Sequence, residues 1–163
     1  TSSVVSIGFR ADELAANTFV ENSVDLNLSP LDREVFVVLA INLDPLTPDS
    51  VAGTTTSVRT SLTTTSQTAV ANLSNSNCLA SANNVIRMNA GSIDGVAFQT
   101  LGLETPPSTL EFIGIIATND FFVQCVGTGN TGTKLVTGKL YGYRAVADAS
   151  VFAALVQSEV LSA

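Results

Sequence analysis

Apolar and polar positions along this chain alternate with a period of two far more often than they recur at helical spacing, so strands are the expected elements. Val24-Asp25-Leu26-Asn27-Leu28 alternates cleanly, the mark of a strand buried on one face. Pro30 marks a turn, and a strand is expected over 34–43. Its run Val35-Phe36-Val37-Val38-Leu39-Ala40-Ile41 is continuously apolar, which implies cover on both faces. Asp44-Pro45 and Thr47-Pro48-Asp49 end it, because proline removes a ladder donor and presets turn geometry.

Residues 50–84 are rich in Thr, Ser, Asn and Ala. Thr is β-branched, so 54–59 and 61–66 suit strands. The reading is one or two exposed strands with long loops on an outer surface. Alternation returns over 67–73, and 72–77 reads as a turn. Short strands are expected at 85–88 and 93–98, around a turn at 89–92. Residues 110–117 and 121–126 read as a hairpin closed by Thr118-Asn119-Asp120. The loop 127–132 leads to a further strand over 134–143, and the three strands together suggest an antiparallel meander.

Two segments read as helical. Asp148 stands as an N-cap, and Val151, Phe152, Leu155, Val156 and Val160 follow at helical spacing, giving an amphipathic helix expected to dock on the sheet or on a neighbouring subunit. A short helix is also expected over 11–19. The fold class is all-β: a β-sandwich or jelly-roll-like barrel of about eight antiparallel strands with a C-terminal amphipathic helix. The chain of 163 residues reads as one β domain over 1–163, with an N-terminal extension at 1–20 and the helix at 147–163.

Composition narrows the function. Charged residues make up 13% of the chain and hydrophobic residues 45%, against about 25% charged in a typical globular domain. A neutral, Thr/Ser/Asn-rich surface suits a protein packed against copies of itself, or an extracellular one. The net charge is −7, and the seven basic residues are scattered: Arg10, Arg33, Arg59, Arg87, Lys134, Lys139 and Arg144. Without a basic cluster, neither direct nucleic-acid binding nor attraction to anionic lipid is expected. No apolar run approaches a membrane span. No secretory leader is evident, and the chain opens at Thr1.

Candidate chemistry is sparse. Histidine is absent, which excludes the usual Ser-His-Asp and Cys-His systems and the commonest transition-metal ligand. Gly127-Thr128-Gly129-Asn130-Thr131-Gly132 matches G-x-G-x-x-G, but a dinucleotide site needs a helix after it, and 135–141 reads as a strand. The alternative is a hairpin loop with glycines at positive φ. Asp12/Glu13, Asp32/Glu34, Asp44/Asp49 and Glu104/Glu111 are carboxylate pairs at turns or strand edges, where solvated charge is the simpler explanation. The loops 44–49 and 72–77 are the best calcium candidates, without the spacing of a helix–loop–helix site. Asn27 and Asn72 open formal glycosylation sequons. Cys78 and Cys125 read as small hydrophobes, with a disulfide between them as the alternative.

No catalytic, cofactor-binding or metal-ligating residue is therefore assigned. The chain is expected to be a self-assembling structural subunit, a viral or phage coat or outer-shell protein located in the virion. It would partner copies of itself and other shell proteins. Two alternatives remain: a subunit of an extracellular filament or surface layer, in which 1–9 adds a strand to a neighbour's sheet, and a carbohydrate- or receptor-binding β module. Subunit contacts are expected at the two ends, Val4 to Phe9 and Phe152 to Leu161.

Overall fold

A computed structural model of the chain describes residues 3–29, 31–88, 95–100, 102–104 and 112–161. The described strands are β1 (Val5–Asp12), β2 (Val20–Asp25), β3 (Glu34–Pro45), β4 (Thr56–Thr63), β5 (Cys78–Met88), β6 (Gly95–Thr100), β7 (Gly102–Glu104), β8 (Gly114–Ile116), β9 (Asp120–Thr128) and β10 (Leu135–Val146), followed by α1 (Ala149–Leu161). They form two sheets, and every pairing is antiparallel. The first runs β1-β10-β3, with β7 and β8 pairing with successive stretches of β3. The second runs β2-β9-β4-β5-β6. If β7 and β8 count as one position and β6 as an added edge, four positions face four in jelly-roll order. This is the fold class the alternation implied.

Inward-facing residues of both sheets share one core, including Phe36, Ile41 and Leu140 from the first sheet and Leu62, Phe121 and Val123 from the second. Each is fully buried, and burying a side chain of this size contributes about 1.5–3 kcal/mol. Phe9 and Phe121 bridge the sheets edge to face, with ring centroids 5.8 Å apart. The apolar run of β3 has a specific cause. Tyr141 pairs with Ala40 but Gly142 pairs with Val38, so Leu39 is an extra residue in a β-bulge. The bulge shifts the inward positions from Phe36 and Val38 to Ile41 and Leu43. Val35 and Val37, on the other face, are buried too, so this half of the strand is covered on both sides as expected. Opposite it, β10 carries glycine where strands crowd. A Cβ at Gly138 would collide with the Asn42 carbonyl and the Phe9 ring. One at Gly142 would collide with the Val37 carbonyl and the Phe36 ring.

Several expectations are corrected. The hairpin over 110–126 does not form, and residues 105–111 lie outside the described ones. β8 pairs with β3 in the first sheet, whereas β9 pairs with β2 and β4 in the second. The three-strand meander fails with it, because the short loop 117–119 crosses between sheets instead of turning within one. Residues 56–63 are not an outer surface: β4 lies inside its sheet, and Thr56, Thr60, Ser61 and Thr63 are fully buried. Thr is tolerated there because its hydroxyl finds a backbone acceptor. Thr60 Oγ1 donates to the Ala82 carbonyl at 2.7 Å, and Thr56 Oγ1 donates to the Asp49 carbonyl at 2.6 Å. Residues 67–73 alternate without forming a strand.

The segment read as an N-terminal extension supplies β1, an integral strand paired with β10. Residues 11–19 are not helical; β1 runs to Asp12 and bends follow. Long-range capture of Glu13 by the loop 127–134 overrides local propensity there. At the other end α1 is present, and its N-cap is as expected: Val151 N donates to Asp148 Oδ1 at 2.9 Å. Its described apolar side chains, however, do not enter the core. Phe152, Leu155 and Val156 are half-buried and Val151 is exposed.

Candidate functional site

The glycine-rich run 127–132 covers the last two residues of β9 and most of the connection to β10, so a strand stands on each side of it. No described helix places its N-terminus there, so among the described residues the arrangement a dinucleotide phosphate requires is not built. Its backbone donors at Gly127, Thr131 and Gly132 are taken by the chain's own carboxylates. Asp49 Oδ2 accepts from Thr131 N at 3.0 Å, Thr131 Oγ1 at 2.9 Å and Gly132 N at 3.1 Å. Asp49 Oδ1 accepts from Lys134 Nζ at 2.8 Å. Lys134 is buried and Asp49 about one-third exposed. The Lys134 ammonium, then the Thr131 hydroxyl, hold the Asp49 carboxyl well below the usual carboxylate range.

Glu13 closes the other side of the loop. It is buried, and its two oxygens accept from Gly127 N at 3.0 Å and Lys134 N at 2.7 Å. Asn130 and Asn17 exchange reciprocal bonds: Asn17 Nδ2 donates to the Asn130 carbonyl at 2.9 Å, and Asn130 N donates to Asn17 Oδ1 at 2.8 Å. Asn130 Nδ2 donates to the Ser57 carbonyl at 2.9 Å, and its Oδ1 accepts from Asp49 N at 2.9 Å. Asn17 and Gly129 both take positive φ here, 62° and 71°. The cluster ties four segments together.

A second polar cluster lies between β2, β4 and β9. Gln124 is fully buried. Its Nε2 donates to Glu21 Oε2 at 2.9 Å and Thr63 Oγ1 at 2.8 Å, and its Oε1 accepts from Ser61 Oγ at 2.6 Å. Glu21 also accepts from Ser66 Oγ at 2.6 Å and Gln67 N at 2.7 Å, pinning the loop after β4. Asp25 and Asp120 face each other directly across the β2–β9 ladder. Burial, and then the Asp25 charge, push the Asp120 carboxyl up.

Among the described residues the paired carboxylates take separate partners, except Asp32 and Glu34, which share Ser29. Asp12 pairs with exposed Arg10 at 2.7 Å, while Glu13 turns inward. Asp32 accepts from Ser29 Oγ at 3.0 Å, and Glu34 accepts from Ser29 N at 3.2 Å. Asp44 is an exposed residue of β3, away from the donors that Asp49 collects. Glu111 lies outside the described residues. Each candidate calcium loop spends oxygens internally, Asp49 in the first and Asn72 and Asn75 in the second. Asn72 accepts from Ser74, and Asn75 accepts from Asn77 N. Among the described residues, no three His, Cys, Asp or Glu side chains converge on a metal-sized site. Cys125 is a buried free thiol, and Cys78 Sγ donates to the Ala80 carbonyl at 3.3 Å. Burial, with Glu13 and Asp12 nearby, pushes the Cys125 thiol up to about 12, so it stays protonated and unreactive.

Sequence reasoning missed Asn17 and Gln124, and named Glu13 only as half of a carboxylate pair and Asn130 only within the glycine-rich run. One signal was available: Gln124 is a polar residue inside the apolar run 121–126, on the face opposite the core residues Phe121, Val123 and Cys125, and a polar group buried there demands a partner. The others became important only through contacts distant in sequence.

Apolar surface is the remaining feature. Val96 on β6 is 60% exposed and Phe98 is 55% exposed. Beside them a cleft of about 350 Å³ opens between Thr47-Pro48 and β5–β6, with Ile86, Ala97 and Phe98 in its wall. Near the start of α1, Leu31, Val146 and Val151 are exposed. The backbone joins these segments, as Ala147 N donates to the Arg33 carbonyl at 3.0 Å. No described helix is long and apolar enough to cross a membrane.

No family model matches the chain, and no curated protein matches it in sequence. Among solved structures it is similar to a chain from Desmodium yellow mottle tymovirus, at 11% identity and a TM-score of 0.30, over 90% of this chain and 91% of that chain.

Proposed function

We propose that this chain is a self-assembling structural subunit, a coat or outer-shell protein of a virus or phage that resides in the virion. One observation carries the reading. The chain places large apolar side chains outside its core, on β6 and around α1, while carrying only 13% charged residues. A helix of 13 residues is marginal alone in water, so α1 gains from a partner that covers Phe152, Leu155 and Val156. Exposed apolar surface of this kind marks an interaction site.

The polar clusters support the same reading from the other side. Asp49, Glu13 and Gln124 hold loops to strands, and their hydrogen-bonding capacity is spent within the fold. In this reading the chain has no catalytic role. Its acidic balance and scattered basic residues favour a shell that does not itself grip the genome. Incorporation of 5–12 into the chain's own sheet counts against a filament built by donating that strand.

Electron microscopy of the purified protein tests the proposal. Closed shells or shell fragments are the expected result. Fibres would move the protein to a filament. A dispersed monomer that binds a glycan or turns over a substrate would overturn the reading.

A further inference from the structure

We infer that β6 is a self-pairing edge, where a second copy of this chain adds its own β6 antiparallel about a two-fold axis. The inference deepens the assembly reading and rests on it. Within the described residues, β6 pairs on one side only, with β5, through six consecutive pairs from Asn83–Thr100 to Met88–Gly95 with no bulge. An outer strand presents unpaired N–H and C=O groups, and proteins normally blunt it with charge, proline or a bulge. Gly95-Val96-Ala97-Phe98-Gln99-Thr100 has none of these.

The contrast with two other edges is informative. β2, at the far edge of the same sheet, carries Glu21 and Asp25. β1, at an edge of the first sheet, carries Arg10 and Asp12. The chain thus protects those edges with charge and leaves β6 bare, with Val96 and Phe98 in water. Charge restricts where a second copy can bind. Each copy carries −7, so two copies approach at least cost along a strip without charge. An extended, neutral, apolar strip also matches a strip of its own kind, which is the requirement of an isologous contact.

Register follows from the pleat. Val96 and Phe98 share one face, because side chains alternate along a strand. A two-fold axis perpendicular to the sheet keeps both copies' apolar faces together only if paired residue numbers sum to an even value. An axis at Ala97 sets Ala97 opposite Ala97 of the second copy. It also sets Val96 opposite Phe98 twice, an apolar cross-strand pair of the stabilising kind.

The test combines sedimentation velocity with a cross-link on the full chain. Wild type should self-associate, and Val96→Lys with Phe98→Lys should weaken the dimer step at least tenfold. Val96→Thr with Phe98→Thr, uncharged and strand-compatible, gives the same comparison without placing charge on the strand. Ala97→Cys should form a covalent dimer under mild oxidation that reductant reverses and that wild type lacks. The inference is overturned if wild type associates but the substituted chains associate equally well, or if Ala97→Cys gives no covalent dimer; the assembly reading survives either result. Open-ended fibres in place of a discrete dimer overturn the closed two-fold pairing. A wild type that stays monomeric at every concentration overturns the assembly reading itself.

Discussion

Asp49 reaches across 85 positions of sequence to hold the Lys134 ammonium at 2.8 Å, and the same carboxylate caps the loop before β10. A glycine-rich run that resembles an anion cradle is thereby filled from within. The pair fastens the 44–56 connection to the loop between β9 and β10.

The first prediction follows from the sign of the Asp49 shift. Its folded carboxyl titrates below the ordinary value of 3.8, because Lys134 and Thr131 favour the charged form. A depressed carboxylate stabilises the fold above its unfolded pKa and loses that contribution as pH falls. Asp49→Asn should therefore lower Tm at neutral pH. The gap to wild type should shrink as the pH drops below about 4. Thermal unfolding across pH 2–8 measures it; a gap that is constant with pH would contradict the assignment.

Asp120 should behave in the opposite way. Burial and Asp25 raise its folded pKa, so ionisation at neutral pH works against the fold, and stability falls as pH rises through the carboxylate range. Asp120→Asn should raise Tm at pH 7, and the gain should vanish at low pH. The same thermal scans report it, and a loss of Tm at pH 7 would sink the repulsion account.

Glu13 offers a sharper chemical test. Both oxygens accept backbone N–H groups, so the isosteric amide presents a donor where an acceptor is needed. Glu13→Gln should destabilise by about 1–3 kcal/mol in urea unfolding, through one unmatched buried donor. A neutral result would mean that the loop rearranges freely.

Gln124→Leu keeps volume and removes three hydrogen bonds, leaving Ser61, Thr63 and Glu21 to find other partners. The expected cost is about 1–3 kcal/mol. Faster amide exchange should follow in residues 66–67, which Glu21 pins directly while Gln124 holds Glu21 in place. Unchanged exchange there would separate the loop from the network.

The continuous apolar run over 35–41 made a covered strand legible from sequence, whereas the alternating Val24 to Leu28 is a strand only as far as Asp25, and Leu26 and Leu28 are buried beyond its end. What connects to what was less legible. The loop 117–119 is short enough for a hairpin, and only the need to bury Ile116 in one sheet and Phe121 in the other makes it cross over. Thr-rich β4 read as surface because composition does not reveal that Ala82 offers its carbonyl to Thr60. The polar cluster was hidden for the same reason: Glu13 and Lys134 lie 121 positions apart. The bare edge of β6 is visible only once the sheet order is known.

The most direct test of the central claim is the mass of the purified chain in solution as concentration rises, by multi-angle light scattering. The account expects growth beyond the 16.9 kDa monomer into discrete, larger species. A monomer mass that holds at every concentration would contradict it.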